Sequence, residues 1–206
     1  MSEPVDFTYR VGGPLGSRAR RAGLWFNPAF FAFTAATLTW LILIWRQVPC
    51  RPLPGDAFPN PFLRMCYSDI PILYLNRDLS IGSGIYTDIA LEYPVLIGGF
   101  VAVTRAITGL LGAVISPEAT FDEQLAASQL VFQVNAIALF ACFVVTVWAH
   151  LKMGRDSPRV GYAGPVRVWD ALLIAASPIV ALNGLINWAM FAVMLTSIGL
   201  LIWSRK

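Results

Sequence analysis

Long apolar runs without a charged residue constrain this chain more than any other feature of its sequence. The clearest are Pro28 to Trp45, Leu130 to Trp148 and Met190 to Trp203. A helix needs roughly 20 apolar residues to cross the hydrocarbon core of a bilayer. Hydrophobic residues form 57% of the chain and charged residues only 13%, whereas a soluble domain carries about 25% charged residues. The sequence therefore predicts an all-α, polytopic transmembrane bundle and excludes a water-soluble globule.

Charged connections separate the apolar runs and divide the chain into predicted segments. A basic tail over residues 1–27 precedes the first span at 28–46, and a long loop over 47–93 follows it. The rest consists of an apolar segment at 94–115, a span at 128–149, a basic loop at 150–168 and two spans at 169–183 and 187–203. We therefore expect four or five spans with one large loop after the first.

The distribution of basic residues predicts the side of the membrane on which each connection lies. The basic tail holds four Arg against two acids, and the basic loop holds four basic residues against one acid. Residues 47–127 hold four Arg against eight acids. Because Lys and Arg are enriched in cytoplasmic loops, we place the tail and the basic loop in the cytoplasm and the long loop outside a bacterial plasma membrane. This needs four crossings, with 94–115 re-entrant or interfacial; a fifth crossing by 94–115 is the alternative.

Charge and motif content exclude several functions. The net charge of +3 is small and scattered, so we expect membrane lipid rather than nucleic acid as a partner. The sequence contains no phosphate-binding loop, dinucleotide fingerprint, zinc spacing or serine-nucleophile elbow. No cofactor and no metal ligands are therefore expected. The alternative is a divalent ion among Asp69, Asp78 and Asp88, although hydrated loop carboxylates are the commoner outcome.

Two of the three cysteines, Cys50 and Cys66, fall in the long loop. Outside the plasma membrane a disulfide can persist, and one that closes so short a loop would stabilise the fold by roughly 3 kcal/mol. The alternative is two unpaired thiols in an apolar cluster. Cys142 lies within a predicted span, where a small buried hydrophobe is the expected role.

Several short motifs follow one another along the chain in a characteristic order and spacing. They are Tyr-Ser-Asp-Ile at 67–70, Asn-Arg-Asp at 76–78, Gly-Ile-Tyr at 84–86, Glu-Tyr-Pro-Val-Leu at 92–96, Arg-Val-Trp-Asp-Ala at 167–171, Ala-Ser-Pro at 176–178 and Asn-Trp at 187–188. This series resembles the GT-C integral-membrane glycosyltransferases. More narrowly, it is similar to glycosyltransferase family 87, the actinobacterial polyprenyl-phosphate-mannose-dependent mannosyltransferases. The resemblance covers most of residues 66–206.

The resemblance implies that Asp69 is the catalytic residue. In such enzymes the sugar arrives on a lipid phosphate from the outer leaflet, and an acceptor hydroxyl loses its proton while it attacks the anomeric carbon. A carboxylate at the membrane boundary can act as the base for this step. The structural alternative is a helix cap or a turn, because Ser68 and Asp69 precede an apolar stretch that contains Pro71.

Glu92, Tyr93 and Asn187 are candidates for substrate binding. Glu92 and Tyr93 precede a proline at the expected start of a helix, where an acid also stabilises the positive helix end. Structural capping is therefore the alternative role for this pair. Asn187 is expected on the same side of the membrane as Asp69. The family usually continues Asn-Trp with an Asp, whereas this chain has Ala189.

Arg77 and Arg105 are candidates for the phosphate of the donor, because a guanidinium group matches phosphate geometry. The alternative for Arg77 is a solvated loop charge. Arg105 lies in an apolar segment, where an unpaired charge costs a few kcal/mol. Gln133 and Asn135, in the span at 128–149, are expected to form hydrogen bonds between helices rather than to bind a ligand.

The resemblance implies a hexosyltransferase that moves a sugar, mannose in the family, from a polyprenyl-phosphate donor to a cell-envelope glycolipid or glycan. Members of the family continue for several more spans, so this chain corresponds to their amino-terminal part. A membrane protein partner that supplies the missing spans is one expectation. The alternative is a non-catalytic integral membrane protein, either a degenerate relative or an accessory subunit that docks a partner through its long loop.

Overall fold

The computed structural model describes residues 27–51, 60–156 and 168–205. Every regular element in these ranges is helical, apart from one isolated bridge between Ile85 and Ile89. The α-helices are α1 (Pro28–Gln47), α2 (Asp69–Asn76), α3 (Val95–Leu110), α4 (Phe121–Asp156), α5 (Asp170–Ala175), α6 (Pro178–Asn183) and α7 (Ala189–Trp203). Two short 3-10 turns follow α1 and α2, at Val48–Cys50 and Leu79–Ile81. The all-α prediction is confirmed for these ranges.

Two of the described helices are long and apolar enough to cross a membrane, judged by length and composition. They are Pro28–Cys50, which includes the 3-10 turn, and Phe121–Gly154. The other apolar helices are shorter. The 16-residue α3 measures about 24 Å at 1.5 Å per residue, which is less than the roughly 30 Å hydrocarbon core. Membrane association is therefore indicated by α1 and α4, and the larger number of crossings stays a prediction.

Local hydrogen bonds explain where α4 begins. The helix α4 starts at Phe121, seven residues before the predicted span, because Thr120 and Glu123 form a capping box. The Glu123 carboxylate accepts a hydrogen bond of 2.8 Å from the Thr120 backbone N–H, and the Glu123 N–H donates to the Thr120 hydroxyl at 3.4 Å.

Residues 169–183 form two short helices instead of one span. Pro178 cannot donate a backbone hydrogen bond and its ring obstructs the preceding turn, so the helix breaks there.

The described chain divides into two compact units. The first unit holds residues 27–39, 143–156, 168–178 and 193–205. Within it the Thr39 hydroxyl donates to the Ala175 carbonyl at 2.8 Å, and the rings of Phe31 and Trp169 lie 5.8 Å apart. These contacts pack the beginning of α1 against α5. Apart from residue 27, the predicted basic tail lies outside the described residues, and so do residues 157–167 of the basic loop.

The second unit holds residues 40–51, 60–142 and 179–192. All the candidate site residues lie in this unit. Its core includes the fully buried side chains of Leu43, Tyr74, Leu139 and Trp188. Close backbone approach at Gly184 brings the turn after α6 against α1, since a Cβ atom there would lie 2.9 Å from Leu43. This packing positions the turn on which α2 rests.

Candidate functional site

The site is built around Asp69, the first residue of α2. Ser68 is the N-cap of this helix, and its Oγ accepts a hydrogen bond from the Ile70 N–H at 3.3 Å. The same Ser68 hydroxyl donates to the Leu185 carbonyl at 2.6 Å. The backbone N–H of Asp69 donates to the Ile186 carbonyl at 2.6 Å. The start of α2 is therefore anchored on the turn between α6 and α7.

Two tyrosine hydroxyls hold the Asp69 carboxylate. Tyr67 donates to Oδ1 at 2.6 Å, and Tyr93 donates to Oδ2 at 2.7 Å. A carboxylate offers about four lone-pair positions, so each oxygen keeps one after these bonds. The Asp69 side chain is only partly buried. It can therefore accept a further hydrogen bond from a ligand hydroxyl while its orientation is held.

The electrostatics of the cluster keep both tyrosines as donors. Burial raises the pKa of Tyr93 well above its usual 10.0, and the hydrogen bond to Asp69 raises it further. The hydrogen bond to Asp69 is the main cause of the raised pKa of Tyr67. Both hydroxyls thus stay protonated at physiological pH. The carboxylate is oriented by two neutral donors rather than by a cation.

Behind Tyr93, a buried polar pair connects the site to the core. The Tyr93 ring meets the Trp188 ring edge to face, with centroids 5.2 Å apart. The Trp188 Nε1–H donates to Asn135 Oδ1 at 2.8 Å, and the Asn135 amide donates to the Val131 carbonyl at 2.9 Å. Trp188 and Asn135 are fully buried. Asn135 and Gln133 are both expected to bond between helices; the partner of Asn135, Trp188, lies in the turn directly before α7, and Gln133 lies on an exposed face of α4.

Tyr86 fixes the other side of Tyr93. Its hydroxyl donates to the backbone carbonyl of Tyr93 at 2.5 Å and lies 3.1 Å from that of Pro94. The Tyr86 ring lies across α3 at Gly98, where a Cβ atom would come within 2.3 Å of the ring. Gly98 is therefore needed for this contact. The entry into α3, and with it Tyr93, is held from both sides.

The remaining predicted site residues contact other partners. Arg77 and Glu92 form an ion pair with each other, with 43% and 71% of their side chains exposed. Arg105 donates to the Ser83 carbonyl at 2.6 Å and so holds the loop before α3. Asn187 accepts a hydrogen bond from the N–H of Ala189, the first residue of α7, at 2.9 Å. Among these candidates, only Tyr93 bonds to Asp69.

Cys50 and Cys66 form a disulfide, with Cα atoms 5.8 Å apart. The bond joins the 3-10 turn after α1 to the segment that leads into α2. Cys142 is outside this bond and is buried. As for metals, within the described ranges no three His, Cys, Asp or Glu residues come close enough to hold an ion. The alternative of a divalent ion shared by Asp69, Asp78 and Asp88 does not fit this arrangement.

Sequence reasoning did not assign roles to Tyr67 and Trp188. Tyr67 lies two residues before Asp69, and Trp188 follows Asn187, so both stand inside motifs already singled out. A signal was available for Tyr67, because a phenol next to a catalytic carboxylate is a plausible hydrogen-bond donor. The Asn-Trp motif gave no signal for the buried contact that Trp188 makes with Asn135.

No protein-family model matches the chain, and neither the curated proteins nor the solved structures give a match. The resemblance to glycosyltransferases therefore stays an expectation from the motifs and their spacing.

Proposed function

We propose that this chain belongs to an integral-membrane glycosyltransferase that uses a polyprenyl-phosphate sugar, with mannose as the sugar. The observation that carries the proposal is the Asp69 carboxylate, which is oriented by Tyr67 and Tyr93 and keeps free lone pairs. The acceptor is a glycolipid or glycan of the cell envelope. Asp69 belongs to the same motif on which the resemblance rests.

The reaction assigns one proton transfer to Asp69. The acceptor oxygen forms a bond to the anomeric carbon, and the bond from that carbon to the donor phosphate oxygen breaks. Polyprenyl phosphate leaves with the bonding electrons, and the acceptor proton goes to Asp69 as general base. The two tyrosines fix the carboxylate in place, which favours a productive geometry before the reaction.

A membrane setting is supported by the exposed faces of the helices. On α1, Leu41, Ile42 and Trp45 are each more than half exposed, with Trp45 at 76%. On α3, Val95 and Leu110 are likewise exposed. Contiguous exposed apolar side chains of this kind are typical of surfaces that meet a lipid or a partner. A lipid-borne substrate would approach Asp69 from such a surface.

The transfer of labelled mannose from polyprenyl-phosphate-mannose, measured in membranes that contain the chain, tests this function. Asp69→Asn keeps the size of the side chain but removes the base, and we expect a loss of about 10²-fold or more. Asp78→Asn is the matched control. Asp78 is an exposed carboxylate nine residues away with no side-chain capping bond, and Asn tolerates its left-handed backbone.

Each outcome of this assay has a clear meaning. Loss of transfer in Asp69→Asn, with unchanged transfer in Asp78→Asn and equal protein levels, is the expected result. Unchanged transfer in Asp69→Asn would refute the role of Asp69. The proposed enzymatic activity would be refuted if transfer did not exceed that of control membranes. The same must hold after co-expression with a membrane protein encoded next to this chain.

The side of the membrane is tested by labelling from outside the cell. Single cysteines are introduced at positions 69, 118 and 160 in a Cys142→Ala background, in which the native disulfide leaves no other thiol. Our topology predicts labelling at positions 69 and 118 but not at position 160. Protection of position 69 would contradict access to a donor in the outer leaflet.

A second candidate is a non-catalytic membrane protein, either a degenerate relative or an accessory subunit. One observation favours it: Arg77, Glu92, Arg105 and Asn187 all have intramolecular partners. Such contacts stabilise a loop without any substrate. This candidate predicts that Asp69→Asn changes stability or partner binding while no sugar transfer depends on the chain.

A further inference from the structure

A pocket of about 210 Å³ lies in the second unit, beside the disulfide. The end of α1, the beginning of α2 and the first part of α4 form its walls. Its apolar side includes Ile72, Leu75, Leu125 and Phe132, and its polar side includes Gln47 and Arg51. Asp69 does not line the pocket, so the pocket is separate from the carboxylate site.

Gln47 is a buried polar residue whose amide nitrogen has no hydrogen-bond partner. Its side chain is only 2% exposed, and its Nε2 makes no hydrogen bond. A buried donor without a partner destabilises the fold, because it has lost its hydrogen bonds to water. Because Gln47 lines the pocket, a ligand acceptor in the pocket is the group that could satisfy this amide.

Arg51 adds a positive charge to the same end of the pocket. Its guanidinium carbon lies 4.5 Å from the centre of the Phe132 ring, and its buried Nε has no hydrogen-bond partner. Desolvation by burial lowers the pKa of Arg51. In the part of the chain that the structure describes, no carboxylate forms an ion pair with it. The ring of Phe132 compensates only part of the lost hydration.

We infer that this pocket binds the phosphate group of an anionic membrane lipid. Phosphate oxygens are strong acceptors that suit a guanidinium group, and they would also accept from the Gln47 amide. The apolar wall suits the carbon chain next to the phosphate. The two helices of membrane-spanning length, α1 and α4, flank the pocket, so a lipid can reach it from the bilayer. The inference does not rest on the proposed function.

Lipid binding to the full chain in detergent tests this assignment. The probes are phosphatidylglycerol, the zwitterionic phosphatidylcholine and inorganic phosphate, each measured by the dissociation constant and by the shift in thermal unfolding. We expect phosphatidylglycerol to bind and stabilise the protein. Arg51→Gln should weaken this binding about 10- to 100-fold, the range for a charge-assisted hydrogen bond. Arg64→Gln, at an exposed arginine of the same loop, should leave it unchanged.

Gln47→Leu provides a second variant of similar volume. It removes the unsatisfied amide, so it should raise the unfolding temperature of the lipid-free protein and weaken phosphatidylglycerol binding. If Arg51→Gln does not fold, this variant and the salt dependence of binding by the unmodified chain decide the matter, since a phosphate contact weakens as salt is added.

The three probes separate the sources of phosphate. Binding of phosphatidylglycerol but not inorganic phosphate assigns a lipid, as proposed. Equal binding of inorganic phosphate would overturn the lipid assignment in favour of a free phosphate. Equal binding of phosphatidylcholine and phosphatidylglycerol, or wild-type affinity in both Arg51→Gln and Gln47→Leu, would overturn the inference.

Discussion

Removal of the disulfide between Cys50 and Cys66 should destabilise the second unit by an amount that follows from the loop it closes. The two cysteines are 16 residues apart. In the chain-entropy account, a loop of this length restricts the unfolded chain by about 10 cal/mol/K, or about 3 kcal/mol at 25 °C. For a chain of this size, that corresponds to a decrease of about 6–12 °C in the unfolding temperature.

The perturbation is the replacement of both cysteines by alanine, compared with the unmodified protein in detergent. We expect the double variant to unfold at the lower temperature with or without reductant, whereas reductant should lower the unfolding temperature of the unmodified protein. The Cys142→Ala variant is the control. It removes a buried side chain but keeps the disulfide, so it should keep its response to reductant.

Thiol counting provides an independent measurement of the same bond. The chain has three cysteines, so the denatured protein should react at one thiol without reductant and at three with it. Three reactive thiols in the absence of reductant would refute the bond. If the bond forms but reductant leaves the unfolding temperature unchanged, the loop-closure reasoning is wrong.

Two further predictions concern the support of Asp69. Tyr93→Phe removes one of the hydroxyls that hold the carboxylate, so we expect sugar transfer to fall about 10-fold at an unchanged protein level; an unchanged initial rate would contradict the positioning role. Gly98→Ala should lower the unfolding temperature by the equivalent of about 1–3 kcal/mol, because the new methyl group would meet the Tyr86 ring. Gly99→Ala, where a Cβ atom has open space, should be neutral or stabilising, and equal effects of the two alanines would contradict the reasoning.

The extent to which the fold follows from sequence differs between elements. The bounds of α1 agree to within a residue with those of the first apolar run at 28–46, because a charge-free apolar run is a local property of the chain. The helix break at Pro178 also has a local cause, the proline itself. The expectation of one continuous span over 169–183 rests on the apolar composition rather than on this proline. The early start of α4 depends on Thr120 and Glu123, which form a capping box outside the apolar run.

The site shows a similar division. The motif pointed to Asp69 and Tyr93, but their contact joins residues 24 positions apart. Arg77 and Arg105 are candidates for binding the donor phosphate. In the structure, Arg77 forms an ion pair with Glu92, and Arg105 donates to the Ser83 carbonyl. A residue type indicates which chemistry is available, whereas its partner depends on how the loops fold.

The helical class and the apolar runs follow from the amino-acid sequence alone, because hydrophobicity and helix capping act over a few neighbouring residues. The sequence also identifies Cys50 and Cys66 as candidates for a disulfide. The folded arrangement was needed to see that Trp188 bonds to Asn135 across 53 residues and that Gln47 and Arg51 line one pocket. Those contacts depend on how separate segments pack, and the order of residues along the chain does not specify that packing locally.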